Sequence, residues 1–242
     1  MDPISLNHAL NAFSKYIQRA QYKPVLVDID IETGLTILQH IGRDFKSDFV
    51  IDKENRQAYE QLFWYFTGQF DHFKGDPYKG ILAIGKKGSG KTLAMYVMQH
   101  LLIFLDKSGQ LNTPEFKPYF KIQKCTEIKS DFADQENGGL KVLKPYKTKH
   151  DVYCFDDIGE EIRDQALAIH YGIQLNVMEN ILTTRAEMFK IHHTVTHATS
   201  NYPIQSTDGV NRYWEKFYGD RIADRAREMF NVIPFGGESR RK

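Results

Sequence analysis

The hydrophobic positions change period along this chain, and the changes divide it. Between residues 5 and 20, Leu6, Ala9, Leu10, Phe13, Tyr16, Ile17 and Ala20 recur at the spacing of one helix face. The stretch "KPVLVDID" (23–30) reads as a short strand. Helices are expected over 32–44 and 53–69, the second carrying Tyr59, Leu62, Phe63 and Phe66 on one face, and "FKGDPYKG" (73–80) reads as a loop. From residue 80 the pattern alternates. Short apolar runs at 80–85, 118–124, 151–155, 193–199 and 230–234 predict five strands. Helices are expected between and around them, at 92–105, 126–137, 160–170, 175–189, 207–218 and 219–228. Strands separated by helix-length crossovers argue for an α/β fold, a five-stranded parallel sheet flanked by helices.

The first strand runs into "GKKGSGKT" (85–92), a full match to G-x-x-x-x-G-K-[ST] between an apolar strand and a helix. Glycines at 85, 88 and 90 permit backbone conformations closed to other residues, so the loop's N–H groups can turn inward around a phosphate. The following helix adds its positive end. The candidate nucleotide-binding set is therefore Gly85, Lys86, Lys87, Gly88, Ser89, Gly90, Lys91, Thr92 and Leu93. Lys91 is the side chain expected to reach the β- and γ-phosphates of ATP, and the Thr92 hydroxyl to hold Mg²⁺.

The third strand ends in "YCFDDIGEE" (153–161), four carboxylates in six residues. Such crowding asks for a cation, and Mg²⁺ carried by ATP supplies one; it prefers hard oxygen ligands. Asp156 is the candidate metal acid, alongside Thr92. Asp157, on the other side of an extended chain, is the candidate to orient or deprotonate a water. Glu160 reads as first-turn charge favoured by a helix dipole. Glu161 carries no assigned role. The fourth strand ends in Thr199, Ser200 and Asn201, and ligands gather at the carboxyl ends of parallel strands; Asn201 is the candidate to hold an attacking water. In "YGDRIADRAREMF" (218–230), Arg221 and Arg225 lie four apart on one helix face. They are candidates for an arginine finger supplied by a neighbouring molecule.

Composition excludes little. The 242 residues carry 32 Lys+Arg against 31 Asp+Glu, a net charge of +1, so only a local patch can argue for nucleic acid. The candidate patch is "KVLKPYKTKH" (141–150), with Lys141, Lys144, Lys147, Lys149 and the aromatic Tyr146. Cys125 and Cys154 have no partner at metal or redox spacing and read as reduced core thiols. The N-terminus lacks a signal-peptide pattern and no apolar run reaches membrane-spanning length, so a cytoplasmic location is expected.

Taken in order, "GKKGSGKT", "YCFDDIGEE", "THATSNYP", "YGDRIADR" and "GGESRRK" resemble the DnaC/IstB-type ATPases of the AAA+ superfamily, over roughly residues 48–242. These are helicase loaders of bacteria and phages and helper ATPases of certain transposons. The resemblance implies a five-stranded AAA+ P-loop domain over 49–242. It makes Lys91 and Thr92 the Walker A residues, Asp156 the Walker B metal acid, Asp157 the catalytic acid and Asn201 sensor one. Arg225 becomes the finger, with Arg221 as runner-up. It implies ATP and Mg²⁺ as cofactors, hydrolysis between subunits of an ATP-dependent homo-oligomer, and two partners: DNA, single-stranded favoured, and a replicative helicase or transposase. Residues 1–48 would be a mostly helical extension that grips the partner. The chain departs from fuller AAA+ proteins in having only 17 residues after Arg225, too few for a C-terminal helical lid, so no second sensor arginine is assigned. Asp157 is also one methylene shorter than the usual glutamate, which points to slow hydrolysis. Three other functions compete: a transposition helper, a small-molecule or nucleotide kinase on a P-loop, and a non-hydrolysing scaffold glued by ATP.

Overall fold

A computed structural model describes residues 27, 29–109, 119–162, 166–204 and 212–240. The helix expected at 5–20, most of 23–30, and Arg241 and Lys242 lie outside them. Within 23–30, Val27, Ile29 and Asp30 are described and are not in a strand.

Five parallel strands form the sheet: β1 (Gly80–Ile84), β2 (Lys121–Lys124), β3 (Tyr153–Ile158), β6 (Thr196–Ser200) and β7 (Phe230–Pro234). Their order is β2-β3-β6-β1-β7, and each lies on or beside a run expected from the apolar pattern. The alternation of side chains across each strand supplies both faces. Ile81, Ala83 and Cys154 face one apolar layer; Leu82, Phe155 and Ala198 face the other. Cys125 and Cys154 are buried free thiols, and burial raises both well above the ordinary thiol range.

The first layer is built from α1 (Ile31–Phe45), α2 (Arg56–Thr67) and α3 (Lys91–Lys107). Asp30 caps α1 by accepting a hydrogen bond from the Thr33 N–H at 3.0 Å. Leu35 and Leu38 of α1 are buried with Tyr59, Leu62 and Phe63 of α2 and Met98, Leu101 and Leu102 of α3. The expected division at 48/49 thus falls between two helices that share one core.

The second layer holds α4 (Cys125–Ala133), α5 (Val177–His192), α6 (Tyr213–Tyr218) and α7 (Asp220–Met229). Arg185 of α5 is fully buried beneath it. Its guanidinium donates to the carbonyls of Thr148, Asp151 and Val195 and to Thr196 Oγ1, at 2.8 to 3.1 Å. Burial lowers its pKa to about 10, and the four acceptors tie the entries of β3 and β6 together.

Among the described residues the helix expected over 160–170 does not form. In its place, Glu160–Ile162 make a single 3₁₀ turn, and Ala168–His170 (β4) pairs antiparallel with Ile173–Leu175 (β5). Tyr171 and Gly172 form the two-residue turn, both with positive φ, 44° and 81°. That is the turn whose twist suits a hairpin. The apolar run "ALAI" has no period that separates strand from helix, and a Tyr-Gly turn is a weak signal.

Leu38→Ala should lower the unfolding free energy by about 3 kcal/mol in urea titration, and a chain beginning at residue 49 should lose cooperative unfolding. A residue 49–242 fragment that melts like the whole chain would remove α1 from the core.

Candidate functional site

The phosphate loop joins β1 to α3. Gly88 and Gly90 have φ of 86° and 99°, the left-handed region that favours glycine. A Cβ at Gly88 would strike the Ser239 side chain at 2.2 Å. Lys91 opens α3 yet is only 4% exposed. Its ammonium folds back into the loop, donating to the carbonyls of Gly85 (2.9 Å) and Lys86 (3.0 Å) and to Asn201 Oδ1 (2.7 Å). Ser89 Oγ is buried with no hydrogen-bond partner. A buried orphan hydroxyl is costly, and a phosphate oxygen is the kind of acceptor that relieves it.

Thr92 Oγ1 donates to Asp156 Oδ1 at 2.7 Å, and Thr199 Oγ1 donates to the same oxygen at 2.7 Å. Asp156 is 2% exposed. Thr92 and Asp156 therefore present two hard oxygens side by side at the foot of the loop, a donor set suited to Mg²⁺ brought by a nucleotide.

Simple alternation would aim Asp157 away from Asp156. Instead the β3–β6 register slips between Phe155 and Ile158, and Asp157 takes a φ of 57°. Its N–H donates to Thr199 Oγ1 at 2.9 Å. A non-glycine residue in this region carries strain of about 1 kcal/mol or more. The bulge returns Asp157 to the cleft that Lys91, Thr92 and Asn201 also line.

The chain then reverses at Gly159, whose φ is 99° and where a Cβ would meet the Tyr202 ring at 2.6 Å. The two glutamates that follow part company. Glu161 turns inward and is 4% exposed; it accepts from the Gly159 N–H at 2.8 Å and from the Tyr218 hydroxyl of α6. Burial raises the Glu161 carboxyl above its ordinary range, and burial likewise lifts the Tyr218 hydroxyl. Glu160 does not head an α-helix. Its Oε1 accepts from Asn201 Nδ2 at 2.9 Å. Glu160 therefore belongs to the site, a placement that helix-dipole reasoning missed because its partner lies 41 residues away.

A cleft of ≈ 730 Å³ opens above the loop. Its apolar wall comes from Phe45, Phe49, Val50, Tyr59, Leu93 and Tyr96. Most of that wall precedes the motifs and carried no sequence signal for a site. The segment after β7 joins that wall to the loop. The Arg240 N–H donates to the Gly88 carbonyl at 2.9 Å, and its guanidinium holds both oxygens of Asp52 at 2.7 and 3.0 Å. Lys46 Nζ donates to the Arg240 carbonyl at 2.8 Å.

No protein-family model matches the chain, and no curated protein matches it. Solved structures do. The structure of DnaI aligns over 84% of this chain and 93% of its own, with 23% identity and a TM-score of 0.50. A putative primosome component from Streptococcus pyogenes serotype M3 aligns over 81% and 87%, with 20% identity and a TM-score of 0.51. The chain shares the fold of these two structures, an α/β fold with a five-stranded parallel sheet flanked by helices.

Within this fold the remaining candidates lie apart from the cleft. Arg221 is exposed on α7, and Arg225 is half-buried with one guanidinium nitrogen 4.0 Å from Glu187. Neither lines the cleft of its own chain. Lys141, Lys144, Lys147 and Lys149 are exposed on or just after the 3₁₀ helix Gly139–Lys147. Tyr146 is not a stacking platform beside them. It is 7% exposed and packs edge-on against Tyr153 and Phe155, with ring centroids 5.0 and 5.8 Å away. Among the described residues no helix is long and apolar enough to cross a membrane.

The Arg240 hydrogen bonds pull the Asp52 carboxyl from its ordinary 3.8 down to about 2. A depressed carboxyl stabilises the fold above its unfolded pKa and loses that contribution as the pH falls through its folded one. Asp52→Asn should therefore melt at a lower temperature than the parent chain near neutral pH, with the gap closing as the pH falls from about 4 towards 2. A gap independent of pH would break the link between the two ends of the cleft.

Proposed function

We propose that the chain is an ATP hydrolase of the helicase-loader type, acting in DNA replication. The observation that carries this reading is the Thr92–Asp156 hydrogen bond beneath a complete phosphate loop, with Lys91 and Asn201 joined across the same cleft. In this reading the loop from Gly85 to Leu93 takes the phosphates of ATP, and Lys91 exchanges its carbonyl partners for them. The apolar wall around Phe49 and Tyr96 takes the base. Thr92 and Asp156 hold Mg²⁺, which supplies charge neutralisation at the phosphates. Asp157 accepts a proton from a water while that water's oxygen bonds to the γ-phosphorus and the bond to the β-phosphate oxygen breaks. Asn201 holds the water.

Arg225, with Arg221 as runner-up, is assigned as the finger that reaches the γ-phosphate of a neighbouring subunit. Its separation from the cleft of its own chain supports action in trans, and hence an ATP-dependent homo-oligomer. The partners are single-stranded DNA, met by Lys141, Lys144, Lys147 and Lys149, and a replicative helicase, with residues 1–48 as the candidate grip. Resemblance to DnaI and to a putative primosome component supports replication over transposition.

Lys91→Ala should abolish ATP binding in calorimetry. Arg225→Ala should bind ATP normally yet lose phosphate release by about 10³-fold, and adding a subunit that keeps Arg225 but carries Lys91→Ala should restore part of it. Full turnover by Arg225→Ala alone would remove the finger assignment. Phosphate release unaltered by single-stranded DNA would count against the nucleic-acid partner.

A further inference from the structure

We infer that Glu160 is a positioning residue for hydrolysis: it fixes the side-chain amide of Asn201 so that its oxygen faces the attacking water. The inference rests on the hydrolytic reading above and adds a residue to it.

The geometry starts from what each partner can do. An ammonium only donates, so Lys91 Nζ at 2.7 Å demands an acceptor, the Asn201 oxygen. An ionised carboxylate only accepts, so Glu160 Oε1 at 2.9 Å demands a donor, the Asn201 NH₂ group. The two ends agree on one orientation of an amide that is otherwise free to flip. They are not equally durable. Lys91 must turn towards phosphate when a nucleotide fills the loop, and its hold on Asn201 is then shared or lost. Glu160 lies outside the loop. It is set by the reversal at Gly159, and the Tyr202 hydroxyl also reaches its Oε1 at 3.5 Å.

The consequence is chemical. With its NH₂ end held by Glu160, Asn201 offers an acceptor oxygen to the cleft. A water there has two hydrogens and finds two acceptors, Asp157 and Asn201, which leaves a lone pair free for phosphorus. An amide flipped the other way would compete with the water by donating to phosphate. Asp157 is short and held on a bulge, so a second acceptor of fixed orientation matters more here than beside a longer acid.

The test uses the whole chain and two readouts. Glu160→Ala should lower kcat at least about tenfold with KM for ATP nearly unchanged, since misorientation acts on the reaction rather than on binding. Glu160→Gln, whose amide oxygen can still accept, should recover most of that loss. The double variant Glu160→Ala/Asn201→Ala should be no slower than Asn201→Ala alone. The second readout needs no turnover. In ¹⁵N spectra with Mg²⁺ and a non-hydrolysable ATP analogue, an Asn201 side-chain amide proton should resonate downfield, and Glu160→Ala should return it to the position of a solvated amide. Parent-like turnover in Glu160→Ala, additive losses in the double variant, or unmoved Asn201 resonances would each overturn the inference. If the parent chain releases no phosphate at all, the hydrolytic reading fails, and the Asn201 resonances alone decide whether Glu160 holds the amide.

Discussion

A single oxygen, Oδ1 of Asp156, organises this molecule. It accepts from Thr92 at the head of α3 and from Thr199 on β6, both at 2.7 Å. Thr199 in turn accepts from the Asp157 N–H. One buried carboxylate thus locks the phosphate loop, the bulged end of β3 and the tip of β6 into a fixed relation. Buried carboxylates are expensive unless their oxygens are satisfied; here the satisfying groups are the neighbours whose positions matter. The strained Asp157 backbone persists because the threonine beneath it holds its N–H.

Around that junction two further segments build walls. The segment after α1 supplies Phe49 and Val50, and the segment after β7 supplies Arg240, which clasps Asp52. Neither segment belongs to the sheet. α1 is therefore both a core helix, through Leu35 and Leu38, and the support for one side of the cleft. Anything that displaces α1 should loosen the site.

What the sequence disclosed and what it hid follow from the range of the interactions. "GKKGSGKT" is local chemistry: glycines at fixed offsets, a lysine and a threonine at a helix head. The five strands are local periodicity. Both were legible, and the sheet bears out the five strands. The hairpin Ala168–Leu175 was hidden because "ALAIHYGIQL" has no clean period. The returning side of Asp157 was hidden because a bulge breaks the alternation that reading a strand assumes. Glu160 beside Asn201 and Asp52 beside Arg240 were hidden because 41 and 188 residues separate the partners. Tyr146 looked like a stacking aromatic among lysines, but its neighbours in space are Tyr153 and Phe155, and burial settled its role.

In the function proposed above, the Thr92–Asp156 pair is a metal-dependent nucleotide foot rather than a structural hydrogen bond. That reading is tested most directly by titrating ATP into the chain with and without Mg²⁺, for the parent and for Thr92→Val. Mg²⁺ should tighten ATP binding at least about tenfold in the parent, a coupling of about 1.4 kcal/mol, and Thr92→Val should abolish this gain while remaining folded. An affinity indifferent to Mg²⁺ in the parent, or the same gain in Thr92→Val, would contradict it.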